Sequence, residues 1–290
     1  MPGSLDYNAQ AAALKDLALA RRRLAGTPRG SAVIIVGAAE MCGATTLAVN
    51  LAATLAATEP SPVAVLDALG NGGPCEALGL EPTTTLDDVV REGAPVARAL
   101  TRGPEGLWVV AAGGVLGRRD ELTPWQRRRL DQAIREIAGR VGFVVAEATP
   151  AAAPLLAPLG QVAVVAAPWA VVEAYSALKM CAERVEGSRL GLVVCRAATR
   201  LEATKTANAI IGVAARRLGF QPASLGFVAD DPYVVTAAQE RALFALAYPR
   251  CQASRCLKSV AARLRAGGQR AATPIAAPGS RPPRQMGRRN

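Results

Sequence analysis

The sequence has no histidine among its 290 residues, and that single absence removes a good deal of chemistry. Ser-His and Cys-His nucleophile pairs, imidazole general bases and ordinary Cys/His zinc sites all need a residue that is not there. Aromatic residues make up only 4%, which leaves little for recognition of nucleic-acid bases by stacking. The six cysteines, Cys42, Cys75, Cys181, Cys195, Cys251 and Cys256, never form a C-x-x-C pair, and they read as reduced, mostly buried thiols. No stretch approaches the roughly 18 uncharged apolar residues of a membrane span, and the amino terminus lacks the basic start, apolar run and cleavage site of a secretory leader. A cytoplasmic chain is expected, whose chemistry must run on carboxylates, lysines or a bound metal.

What is present is enough for one well-buried domain. With 51% hydrophobic and 20% charged residues, the length suits a core unit of about 200 to 250 residues plus appendages. The net charge of +11 is unevenly placed: residues 250–290 hold ten Lys/Arg and no acid, and residues 1–30 hold five basic and two acidic side chains. Basic ends on a near-neutral middle suggest contact with an anionic surface through the ends rather than through the fold. No specific nucleic acid is expected.

Seven short β-branched runs, at 32–37, 63–67, 107–111, 143–147, 162–167, 190–195 and 224–228, alternate with helix-length segments. That alternation predicts an α/β fold, a mainly parallel sheet of about seven strands with helices on both faces. Three parts are expected: an N-terminal helix and linker over 1–30, the α/β domain over 31–266, and a disordered basic tail over 267–290, rich in Gly, Pro and Arg. Thr123 and Pro124 mark the cap and first residue of a helix running through Ile137. Trp108 lies in a strand run and reads as core, whereas Trp125 and Trp169 read as packing or surface anchors.

The first strand run leads into Gly37-Ala38-Ala39-Glu40-Met41-Cys42-Gly43-Ala44-Thr45-Thr46 and then a strongly helical segment. A strand, a glycine-bearing loop and a helix opening on Thr is the frame of a phosphate-binding loop, where backbone N–H groups and the helix N-terminus hold an anion. This segment resembles the deviant Walker A motif of the MinD/ParA family, K-G-G-x-G-K-T-T. Against that pattern, Ala39 and Ala44 stand at the two lysines, and Glu40 and Met41 at two glycines. The resemblance implies a P-loop NTPase fold and ATP or ADP with Mg²⁺ as ligand. Gly43, Ala44, Thr45, Thr46, Glu147, Cys195 and Arg196 fall at its nucleotide positions, Thr45 and Glu147 at its Mg²⁺ positions, and Asp67 at the aspartate that orients water. Leu69 replaces a second aspartate, Glu147 stands for the Walker B aspartate, and Cys195-Arg196 for an Asn-Arg pair. Without the lysines the positioned charge on which phosphoryl transfer depends is missing, so little or no hydrolysis is expected.

Within that family the chain is similar to the FlhG/FleN regulators of flagellar number, on the segments 164–179 and 215–249 and on the N-terminal Gln10-Ala11-Ala12-Ala13-Leu14-Lys15. Gln10, Leu14 and Lys15 match the element with which such proteins engage the SRP-type GTPase FlhF. The resemblance thus implies FlhF-like and flagellar switch or regulator partners, and a homodimer. An active ATPase of ParA or BcsQ type, positioning cargo or supporting cellulose secretion, is the alternative. Over residues 252–266, Leu257, Val260 and Leu264 share an apolar face flanked by basic residues. Such a helix either lies peripherally on an anionic membrane or packs as the last helix against the sheet.

Overall fold

The computed structural model describes residues 31–267. The N-terminal helix with Gln10, Leu14 and Lys15, and the tail beyond Gly267, lie outside the described residues. One sheet of eight strands organises the rest. In chain order the strands are β1 (Ser31–Gly37), β2 (Val63–Asp67), β3 (Thr101–Arg102), β4 (Trp108–Ala111), β5 (Phe143–Ala148), β6 (Gly160–Ala166), β7 (Leu190–Ala197) and β8 (Ala223–Ala229). They stand side by side as β3-β4-β2-β5-β1-β6-β7-β8. All neighbours run parallel except β3 and β4. The seven expected strands are all there. The eighth, β3, pairs only Thr101 with Val109 and Arg102 with Trp108, and two residues are too few for an alternating pattern to show.

The helices are α1 (Ala44–Ala56), α2 (Gly73–Ala77), α3 (Leu86–Arg91), α4 (Pro124–Arg140), α5 (Ala153–Leu156), α6 (Val171–Ala182), α7 (Arg200–Leu218), α8 (Pro232–Gln239), α9 (Phe244–Ala247) and α10 (Gln252–Gly267). Alternation along β1 assigns them to two layers. Ala32, Ile34 and Val36 join a core with residues of α3, α4, α6 and α7, while Val33 and Ile35 join a second core with α1, α9 and α10. Burying both faces is why the strands read as continuous apolar runs. Each fully buried Ile, Leu or Val contributes about 1.5–3 kcal/mol, and β1 and α1 at the centre hold eight large residues of this kind, all nearly inaccessible.

Caps and polar anchors fix the helices. Thr123 accepts the Gln126 N–H in a capping box and Pro124 occupies the first turn of α4, which runs one turn past Ile137. Asn50, buried in α1, accepts the Ala245 N–H at 3.1 Å and so ties α9 down. Asp231 caps α8 through the Tyr233 N–H at 3.0 Å and also accepts the Ala253 N–H at the start of α10 at 3.0 Å. Burial works to raise the Asp231 carboxyl, but these backbone donors outweigh it and hold the group below the usual carboxylate range.

Trp108 is buried in the core, and Trp125 and Trp169 are more than half exposed. Of the two readings of the last helix, the docked one is what the structure shows. Leu257, Val260 and Leu264 are 0%, 0% and 5% exposed and pack with Val33, Leu225 and Phe244. The apolar face proposed for a membrane is therefore spent on the core, and the charges of α10 point outward. No helix among the described residues is long and apolar enough to cross a membrane.

Candidate functional site

Strand order reverses at β1, which has β5 on one side and β6 on the other. The crevice beyond the carboxyl ends of the strands at such a point is where open α/β sheets bind ligands. Here it receives the loop 38–43 from β1, Asp67 from the end of β2, Glu147 from β5 and Cys195-Arg196 from β7. A cleft of about 680 Å³ lies among them, lined by that loop, Thr45, Thr46, Leu69, Glu147, Arg196, Asp230 and Phe244. A second cleft, of about 980 Å³, shares Thr45, Thr46, Asn71 and Phe244 and extends past Asp67.

The loop combines left-handed backbone with side chains that carry no cation. Gly43, just before α1, has φ 90°, and Met41 has φ 59°. Both are left-handed conformations that suit glycine, and for a Met the strain costs about 1–2 kcal/mol. Met41 thus occupies a glycine position in a glycine's conformation, with its side chain 77% exposed. Glu40 beside it is exposed, Ala39 and Ala44 offer only methyl groups, and α1 has no side-chain cap at its N-terminus. The loop therefore offers backbone groups and no cationic side chain.

At its floor the Thr45 hydroxyl donates to Glu147 Oε1 at 2.7 Å. Glu147 is 2% exposed and its other oxygen, Oε2, has no partner. Burial lifts the Glu147 carboxyl to about 7; the Thr45 hydrogen bond opposes that lift and nearby Asp67 adds to it. Near neutral pH this carboxyl is divided between its two protonation states. Asp67, also buried, accepts the Gly70 N–H on Oδ1 at 2.9 Å and the Gly72 N–H on Oδ2 at 2.8 Å. Both of its oxygens organise the loop 68–72.

Arg196 has φ 58° and reaches across the mouth. It donates to the Met41 carbonyl at 3.2 Å, stands 3.8 Å from Asp230 and lies 5.2 Å from the centre of the Trp169 ring. Cys195 is buried beneath the loop, where desolvation pushes its thiol up. The structure thus brings Gly43, Ala44, Thr45, Thr46, Asp67, Glu147, Cys195 and Arg196 together. Sequence reasoning missed Met41, Trp169 and Asp230 as partners of Arg196. A tryptophan just after one strand and an aspartate just after another were the available signals, since both fall at the carboxyl edge.

Thr45 and Glu147 are the pair that would hold Mg²⁺. Among the described residues no group of three or more acidic or cysteine side chains could hold a metal ion. A loop without lysine and an acidic Glu40 on its rim do not fit a magnesium triphosphate, which needs compensating cationic charge.

The fold places the chain in a known class. It superposes on a ParA family ATPase from Chlorobium tepidum TLS with a TM-score of 0.63 at 17% identity, covering 81% of this chain and 98% of that one. It superposes likewise on the septum site-determining protein MinD complexed with Mg-ADP from Pyrococcus horikoshii OT3, with a TM-score of 0.60 at 14% identity, covering 80% of this chain and 94% of that one. The architecture is the MinD/ParA-like P-loop fold. In sequence the chain is similar to the antiactivator FleN of Pseudomonas aeruginosa, 26% identical over 239 residues, covering 80% of this chain and 85% of FleN. No family model matches the sequence.

Proposed function

We propose that this chain is a MinD/ParA-like regulator of flagellar number, placement or assembly that works as a binding scaffold without ATP turnover. The likeness to FleN, an antiactivator by name, supports the regulatory part. The observation that carries the scaffold part is the cleft. Its loop keeps a glycine-like backbone at Met41 and Gly43, but residues 37–46 include no lysine, and the buried Glu147 is hydrogen-bonded to the Thr45 hydroxyl. Phosphoryl transfer is positioning plus charge stabilisation, and this site supplies only the positioning.

In this reading Asp67 serves as a structural residue of the loop 68–72, and Arg196 replaces a ligand contact with an internal one to Met41, Trp169 and Asp230. The partner surfaces then carry the function: residues 1–30 toward an FlhF-like GTPase, through Gln10, Leu14 and Lys15, and the carboxyl edge of the sheet toward a second copy or a flagellar regulator. Met41, Trp169 and Val235 stand exposed at that edge. The test is the GTPase rate of FlhF from the same cell with the full chain added and no ATP. Stimulation that disappears in Gln10→Ala/Leu14→Ala supports the proposal; an unchanged rate, or stimulation only with ATP, overturns it.

A further inference from the structure

β8 ends the sheet, with no strand on its outer side among the described residues. Two helices flank it on opposite faces: α7 belongs to one core layer and α10 to the other. Between them runs a groove of about 560 Å³ along the outer edge of the strand. Its floor is Ser224, Gly226 and Phe227. One wall carries Arg200, Thr204 and Asn208 from α7, and the other carries Arg255, Ser259 and Arg263 from α10.

Three properties distinguish this groove from an ordinary sheet edge. None of its lining residues is acidic. Arg200, Arg255 and Arg263 are exposed, and among the described residues none of them forms an ion pair, whereas Arg91, Arg118, Arg119, Arg140, Arg196 and Arg265 all do. The wall residues between the arginines are small or hydroxylated, which lets another backbone come close. The pairing of β8 with β7 is irregular at two points: Ser224 pairs with Leu192 and Gly226 with Val193, leaving Leu225 unmatched, and Val228 pairs with Cys195 and Ala229 with Ala197, leaving Arg196 unmatched on β7. At Gly226, with φ 118°, a side chain would meet Arg263 Nη1 at 3.4 Å, so that guanidinium lies over the strand.

We infer that this groove binds an acidic, extended peptide segment of a partner protein, added as a strand along β8. An added strand pairs its backbone with the open edge and sends alternate side chains to opposite faces of the sheet. One set therefore points toward Arg200 on α7 and the other toward Arg255 and Arg263 on α10. Carboxylates in both sets meet guanidinium forks, which bind them in bidentate geometry. The wall of α10 from residue 252 to 263 is about 16 Å long at 1.5 Å per residue, which matches an extended segment of about five residues. The ligand class is thus a short run rich in Asp and Glu on both alternations, with small residues between them.

The probe is a fluorescein-labelled acidic peptide of about ten residues, rich in Asp, Glu and Ser, titrated into the full chain at low salt and read by anisotropy. Binding is expected in the micromolar range. It should weaken at least about tenfold in Arg200→Glu/Arg255→Glu/Arg263→Glu, and comparably when the peptide backbone is N-methylated at alternate positions. The three arginines are exposed, and an unchanged circular dichroism melt would confirm that the variant is folded. Because the variant keeps the basic tail beyond Gly267, binding through the tail would persist in it and would overturn the proposal. Equal binding of a lysine-rich peptide, indifference to N-methylation, or absence of binding at millimolar peptide would also overturn it. So would tighter, variant-sensitive binding of a single-stranded oligonucleotide, which would make the groove a nucleic-acid site.

Discussion

The cleft at the carboxyl ends of the strands and the groove along the outer edge of β8 are both built from strand and helix residues of the one sheet, and they carry opposite charge. The cleft is lined by Glu40, Glu147 and Asp230 with one arginine, Arg196, which is engaged by Asp230, Trp169 and the Met41 carbonyl. The groove is lined by three arginines that form no ion pair among the described residues, and by no acid. In a protein that holds a polyphosphate the distribution would be the reverse. The contrast teaches that backbone geometry and side-chain charge separate readily: the loop 38–43 holds a left-handed turn with no cation in it, while arginines gather along β8.

Four substitutions sharpen that contrast. Glu147 should have the largest effect. Its folded pKa, about 7, lies above the ordinary glutamate value of 4.5, so the folded chain binds the extra proton between those values. Its contribution to stability is fully present below about 4.5 and is lost as pH rises through about 7, by up to about 3 kcal/mol. Glu147→Gln should flatten this segment of the stability-versus-pH curve, measured by urea denaturation from pH 4.5 to 8. An identical slope in the variant would mean that the Glu147 carboxyl is not held up by burial as described.

Asp231 stands between the two regions, capping α8 at the cleft and α10 at the groove. Removing a cap costs about 0.5–2 kcal/mol, so Asp231→Ala should lose about 2 kcal/mol at neutral pH through two helix starts at once. The Asp231 carboxyl is held low, so the stability it provides is present above the unfolded pKa and is lost as pH falls through the folded one. A denaturation series at pH 7 and pH 3 should show the difference between variant and parent shrinking in acid. A constant difference would argue against the two charge-assisted caps.

Met41→Gly should stabilise by about 1 kcal/mol, because glycine adopts φ 59° without strain. A loss on thermal denaturation would mean that the Met41 side chain is held by contacts rather than tolerated. The smallest effect belongs to Arg196→Ala. Its contacts are half-exposed and worth about 0.5–1 kcal/mol, but the emission of Trp169 should shift and the loop 38–43 should exchange its amides faster. Unchanged exchange would separate Arg196 from the loop.

Much of this was legible before any coordinates. Seven strands followed from β-branched runs because a doubly covered sheet leaves no polar alternation to confuse them, and α4 announced itself through Thr123 and Pro124. The site residues could be named because strand ends and the loop 37–46 put them at one edge, wherever their side chains turned. What could not be read was direction and partnership. That Asp67 spends both oxygens on Gly70 and Gly72, that Arg196 folds back onto Trp169, and that α10 commits Leu257, Val260 and Leu264 to the core all depend on contacts across long sequence separations. In the sequence the basic residues of α10 read only as flanks of a membrane-lying or sheet-packed helix, and Arg200 on α7 carries no reading. Only the fold sets Arg200 opposite Arg255 and Arg263 across one strand.

The most direct test of the central claim is calorimetric titration of ATP and of ADP, each with Mg²⁺, into the unmodified chain and into Ala39→Lys/Ala44→Lys. The account predicts no saturable heat for the unmodified chain up to about 1 mM nucleotide, a free energy weaker than about −4 kcal/mol, and measurable binding once the two lysines restore charge to the preserved loop. Micromolar binding by the unmodified chain would contradict it.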